Sequence, residues 1–230
     1  MGLRAAGIRR RSGKQDRADA LLHQPSPNFG PRRDGQEPNI IVLHYTAMDS
    51  AQAAIERLCD PLAEVSAHYL IAKTGDVTQM VAEQDRAWHA GAGAWRGAGD
   101  VNSRSIGIEL DNTGKHPFPE PQMVALEALL HDIRRRWRVA AEDIIGHSDM
   151  APGRKIDPGA RFDWARLARQ GLAGPTEPGA DCADFEQAAK AAGFSAEVDP
   201  GTLLEAVRLR FAPWRSGPLC PEDTQLYHRI

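Results

Sequence analysis

Asn39-Ile40-Ile41-Val42-Leu43-His44-Tyr45 is a short, continuous apolar run that ends on a histidine. Turn residues bound it, so it reads as a buried strand rather than a piece of helix. Downstream, Ser105-Ile106-Gly107-Ile108-Glu109-Leu110 reads as a second core strand, with Ile106, Ile108 and Leu110 on one face and Glu109 on the other. Asp143-Ile144-Ile145-Gly146-His147 reads as a third, short strand. Residues 67–72 and 77–81 form a predicted hairpin with Gly75 in its turn. Between these lie helical patterns. Asp49 or Ser50 caps a helix over Ala51 to Leu58. From Pro119 to Trp137 the residues Met123, Leu126, Leu130, Ile133 and Trp137 recur at spacings of three and four, a core-facing stripe. Phe162 to Gln170 closes the pattern. The expected class is α/β, a central mixed sheet flanked by helices.

Outside this core the sequence divides. Residues 1–22 are charged and poor in aromatic and β-branched residues, and read as an arm without fixed structure. A main domain is expected over 23–170, opening with a Pro/Gly-rich lead-in. Residues 171–181 have linker composition. Residues 182–230 read as a small helical segment, with helices over Cys182 to Gly193 and Thr202 to Phe211 and a third over Pro221 to Ile230. So short a piece is marginal alone, so it either packs on the main domain or acts as an accessory module.

Composition narrows the function classes. A formal net charge of −3 lacks the basic surplus of a nucleic-acid binder. No apolar run is long enough to span a bilayer, and the basic N-terminus lacks the apolar core of a secretory signal. The expected location is therefore cytoplasmic, or periplasmic if the N-terminus is processed differently. Cys59, Cys182 and Cys220 are odd in number and widely spaced, which suits reduced thiols better than a disulfide framework.

The chemistry concentrates in two places. Gly146-His147-Ser148-Asp149-Met150-Ala151-Pro152-Gly153-Arg154-Lys155-Ile156-Asp157-Pro158-Gly159 puts His147 and Asp157 in one Pro/Gly-shaped loop. His44 stands at the end of the first strand. Two imidazoles and a carboxylate form a ligand set suited to one zinc ion, with a fourth position left for water. Glu109 is either an ordinary charge on a solvent face or, on the inner face, a general base. Lys155 is either a solvated loop lysine or a cation for a developing oxyanion.

Five motifs, in order, extend the reading: Val42-Leu43-His44-Tyr45-Thr46-Ala47, Val65-Ser66-Ala67-His68-Tyr69-Leu70-Ile71, Ala87-Trp88-His89-Ala90-Gly91, Asn102 to Leu110, and Gly146-His147-Ser148-Asp149 with Lys155-Ile156-Asp157-Pro158-Gly159. Across roughly Pro25 to Gln170 the chain resembles the zinc-dependent N-acetylmuramoyl-L-alanine amidases of the type 2 family. These share the fold of peptidoglycan recognition proteins and of phage T7-type lysozyme. The resemblance implies that His44, His147 and Asp157 bind zinc, that Glu109 is the catalytic glutamate, and that Lys155 steadies the tetrahedral intermediate. It implies that His89, Trp88 and Tyr45 line the substrate cleft, Trp88 having a core aromatic as its other reading. The implied substrate is peptidoglycan or its muropeptide fragments. Two departures stand out. Ala67 occupies the place of a catalytic tyrosine in the phage branch, which throws the burden on Glu109. Asp157 stands where phage and animal members use cysteine. The C-terminal helices weakly resemble small peptidoglycan-binding modules. Two other functions remain: a metal-free module that recognises peptidoglycan fragments without cutting them, and a phage-type lysin acting on intact wall.

Overall fold

The run at residues 39–45 lies inside a six-stranded sheet. The computed structural model describes residues 21–174 and 184–228. In chain order its strands are β1 (Leu22–His23), β2 (Phe29–Pro31), β3 (Ile40–Tyr45), β4 (Tyr69–Ile71), β5 (Val77–Gln79), β6 (Asp85–Ala87), β7 (Ser105–Leu110) and β8 (Ile144–Gly146). The helices are α1 (Ala51–Cys59), α2 (Val101–Arg104), α3 (Glu120–Trp137), α4 (His147–Met150), α5 (Trp164–Arg169), α6 (Phe185–Ala191) and α7 (Pro200–Phe211), and a 3-10 stretch covers Pro221–His228. The main sheet runs β1-β5-β4-β7-β3-β8. All neighbours are parallel except β4 and β5, the predicted hairpin, so the sheet is mixed. Strands β2 and β6 form a separate antiparallel ribbon.

The continuous apolar character of β3 has a direct cause: both faces of the sheet are covered. Side chains alternate along a strand. Ile41 and Leu43 enter one core, with Leu126, Leu130 and Ile133 of α3. Ile40 and Val42 enter another, with Phe185 of α6, Phe194, and Leu204 and Val207 of α7. Helices α6 and α7 thus supply a helical layer to the main sheet. By the same alternation His44 belongs to the face of Ile40 and Val42. Pairing of β3 with β7 aligns Ile40, Val42 and His44 with Ser105, Gly107 and Glu109. Those six positions form the floor on which the site is built.

Local chemistry starts and stops the elements where expected. Ser50 caps α1 by accepting from Ala53 N–H at 3.2 Å. The long helix ends at Arg138, which takes the left-handed conformation at φ 56°. Several boundaries differ from the sequence reading. Leu22, assigned to the arm, pairs with Thr78 in β1, and Phe29–Pro31 of the lead-in pairs with β6. The closing helix starts at Trp164 because Asp163 caps it. Most of the arm, the linker over 175–181 and Cys182 lie outside the described residues. Cys59 and Cys220 are free thiols. No helix among the described residues is long and apolar enough to cross a membrane.

Candidate metal centre and cleft

Parallel strands deliver the site residues to one end of the sheet. His44 lies at the carboxyl end of β3. His147 follows β8 and opens the single turn α4. Asp157 returns beside it, its carbonyl accepting from Ser148 N–H at 2.9 Å. Gly146 permits this approach, since a Cβ there would lie 2.8 Å from the Pro158 ring. The result is a tight triangle: His44 Nδ1 lies 2.9 Å from His147 Nδ1 and 2.9 Å from Asp157 Oδ2, and His147 Nδ1 lies 3.0 Å from that oxygen.

The hydrogen bonds around the triangle fix which nitrogens carry protons. The Ser105 hydroxyl donates to Val101 O at 2.6 Å, so its oxygen accepts from His89 Nε2–H at 3.1 Å. His89 Nδ1 therefore accepts, at 3.0 Å, from His44 Nε2–H. That leaves His44 Nδ1 a bare lone pair. On the other side, His147 Nε2–H donates to Ala90 O at 2.8 Å, baring His147 Nδ1 as well. Burial, with His147 close by, lowers the His44 pKa to about 4, and burial likewise holds His89 well below its ordinary value. Neutral imidazoles with the far N–H donated away are the state in which histidine ligates a metal. Two lone pairs and a carboxylate oxygen that converge within 3.0 Å repel one another unless a cation lies between them. The donor set, two nitrogens and one oxygen, fits zinc.

Around this centre opens a cleft of about 550 Å³, lined by His44, Tyr45, Trp88, His89, Glu109, His147, Lys155 and Asp157 among others. All eight expected site residues are thus together. Glu109 lies on the inner face, where it lines the cleft rather than meeting open solvent. Its Oε2 is buried without a hydrogen-bond partner among the described residues. Burial, followed by the nearby Asp157 charge, pushes its pKa up to about 8, with Lys155 opposing. Trp88 is partly exposed at the wall rather than sealed in the core. His89 reaches further than a lining residue: it is the link that orients His44. Gly107 makes room for it, because a Cβ there would lie 2.5 Å from the His89 ring. Ala67 is buried, with no polar group to offer.

Sequence reasoning gave no role to Ser105, the Ala90 carbonyl or Arg154. The Arg154 guanidinium donates to Ala90 O at 2.6 Å and to Ala92 O, bracing the loop that orients His147. The residues of the Asn102 to Leu110 motif were visible, but nothing local distinguishes a serine that ends a proton path from one that caps a strand.

Comparison with known proteins agrees with this geometry. A family described as N-acetylmuramoyl-L-alanine amidase matches residues 34–160. The chain is 39% identical over 182 residues to the N-acetylmuramoyl-L-alanine amidase AmiD of Escherichia coli, an alignment covering 72% of this chain and 63% of AmiD. It is 36% identical over 159 residues to the 1,6-anhydro-N-acetylmuramyl-L-alanine amidase AmpD of Haemophilus influenzae, covering 61% of this chain and 86% of AmpD. Among solved structures, E. coli AmiD in complex with the substrate anhydro-N-acetylmuramic acid-L-Ala-D-gamma-Glu-L-Lys superposes with a TM-score of 0.74 at 30% identity. That match covers 90% of this chain and 91% of the chain in that structure. On these grounds the chain belongs to the N-acetylmuramoyl-L-alanine amidase family of type 2 amidases.

Proposed function

We propose that the chain hydrolyses the amide between the lactyl group of N-acetylmuramic acid and L-alanine in soluble peptidoglycan fragments, with His44, His147 and Asp157 holding one zinc ion. One observation carries the reading. The three converging ligand atoms share a cleft with an unpartnered, buried carboxylate oxygen of Glu109. Zinc, when bound, supplies Lewis acidity to a carbonyl and to water.

The chain's own groups supply the rest. Glu109 Oε2, as the carboxylate, accepts a proton from the attacking water and passes it to the departing amine nitrogen. The C–N bond breaks, leaving the muramyl carboxylate and a free alanine amine. The Lys155 ammonium faces the cleft and offsets negative charge on the carbonyl oxygen. Tyr45 and Trp88 provide apolar walls that hold the substrate. A preference for fragments carrying the anhydro sugar is supported by the substrate named for E. coli AmiD and by the name of AmpD.

Glu109→Gln tests the assignment. The variant should keep its fold and one zinc per chain, yet lose turnover by roughly 10²-fold or more, since general acid–base catalysis supplies that order. Amidase activity surviving in the variant would remove Glu109 as the base. Wild-type protein without stoichiometric zinc and indifferent to chelator would favour the non-catalytic recognition module. Release of fragments from intact sacculi, with soluble anhydro-muropeptides left uncut, would favour the lysin.

A further inference from the structure

A charged group from the far end of the chain is built into the support of the site. Arg210, in α7, is 5% exposed, and its guanidinium lies 3.5 Å from the centroid of the Trp164 ring. Nη1 donates to Asp149 Oδ2 at 2.7 Å, and Nη2 donates to Ile144 O at 3.1 Å. Asp149 Oδ2 also accepts from Gly146 N–H at 2.7 Å. Ile144 and Gly146 are the first and last residues of β8, and Asp149 stands in the turn that His147 opens. One guanidinium therefore grips the backbone three residues before His147 and the side chain two residues after it. A second contact lies close by: Gly153 packs so near Thr202 of α7 that a Cβ would lie 2.8 Å from its methyl group. The loop from Gly146 to Asp157 thus rests on α7 at two points.

An arginine serving only to attach a helix could stop at one partner. Here the carboxylate it neutralises is itself the cap on the residue preceding a ligand, and both charges are almost wholly buried. Leaving either charge unpaired in the interior is strongly unfavourable, so the pair resists displacement. We propose that Arg210 is a positioning residue for His147, holding that imidazole in register with His44 and Asp157 and so setting zinc affinity and turnover from beyond residue 160, where the family match ends. The inference rests on the zinc amidase reading above. Arg210 touches neither ligand nor substrate and acts only through Asp149 and β8.

The test uses the full-length protein and three variants, Arg210→Met, Arg210→Lys and Asp149→Asn. Zinc affinity is read by competition with a chromogenic chelator. kcat and KM are read with a soluble anhydro-muropeptide, at a temperature where circular dichroism shows each protein folded. Groups that orient metal ligands are typically worth 10–100-fold in affinity or rate. Arg210→Met should weaken zinc binding and lower kcat by that factor while KM stays within about threefold, and Arg210→Lys should recover part of both. A folded Arg210→Met with wild-type zinc affinity and kcat overturns the proposal. Should Arg210→Met fail to fold, Asp149→Asn keeps the side-chain size and an acceptor for Gly146 N–H, and is judged by the same two readouts. Wild type that takes up no zinc overturns the amidase reading and this inference together. Wild type that takes up zinc beside indifferent variants overturns this inference alone.

Discussion

His68 is fully buried, with Nδ1 accepting from Gly107 N–H at 2.9 Å and Nε2 donating to Asp85 O at 3.1 Å. Burial drives its pKa down to about 3; the Asp85 carbonyl opposes this and the Arg32 charge adds to it. In the unfolded chain the same ring titrates near the ordinary value of 6.5. Between these limits the unfolded state binds one more proton than the folded state, so stability rises with pH. His68 therefore contributes fully above about pH 6.5, and its contribution is lost as pH falls toward 3, at up to about 1.4 kcal/mol per pH unit. In urea titrations of chelator-treated protein between pH 4 and 6, His68→Gln should flatten the dependence of stability on pH by about one proton. An unchanged slope would mean that His68 is charged in the folded protein. His44, His147 and Asp157 stood out in the sequence because histidines at strand ends and a carboxylate in a Pro/Gly-shaped loop are residue types that suit a metal. Ala90 and Ser105 could not stand out in the same way. A backbone carbonyl has no letter of its own, and the serine matters only through a path of three hydrogen bonds assembled by tertiary packing.

Elements differ in how far they can be felt at the site. Leu126 of α3 is fully buried against the face carrying Ile41 and Leu43, the face of β3 opposite to His44. Leu126→Ala removes that packing and leaves a cavity, at a cost of about 2–5 kcal/mol. Its zinc affinity should stay within about twofold of wild type, because β3 and β7 stand between the cavity and the ligands. Thermal unfolding and chelator competition on one preparation check both halves. A tenfold loss of zinc affinity in the folded variant would show that the two faces are mechanically coupled. The helix was legible because its stripe, from Met123 to Trp137, repeats over about four turns. Strand β1 was not, since two residues carry no period and its pairing with β5 joins segments more than fifty residues apart. The alternation in Ser105 to Leu110 placed Glu109 opposite the apolar set. It left undecided whether that face met solvent or cleft, because the answer depends on what α6, α7 and the 146–157 loop cover.

At the scale of the molecule, the covering of that face decides whether the chain can dispense with its C-terminal helices. Ile40, Val42 and Ile145 share a core with Phe185, Phe194, Leu204 and Val207, all buried. Each such side chain is worth about 1.5–3 kcal/mol when removed from water. The four from beyond residue 184 together rival the whole stability of an ordinary domain, about 5–15 kcal/mol. Ending the chain at Gly174 would also strip Asp149 of Arg210 and leave a buried carboxylate on the turn that His147 opens. The shortened protein should therefore lose its cooperative melt, bind a hydrophobic dye, and hold less than stoichiometric zinc. Calorimetry, dye fluorescence and metal analysis of the fragment measure each. A fragment that melts cooperatively and takes up one zinc at full-length affinity would show that residues 175–230 are an attachment rather than the second layer of the fold.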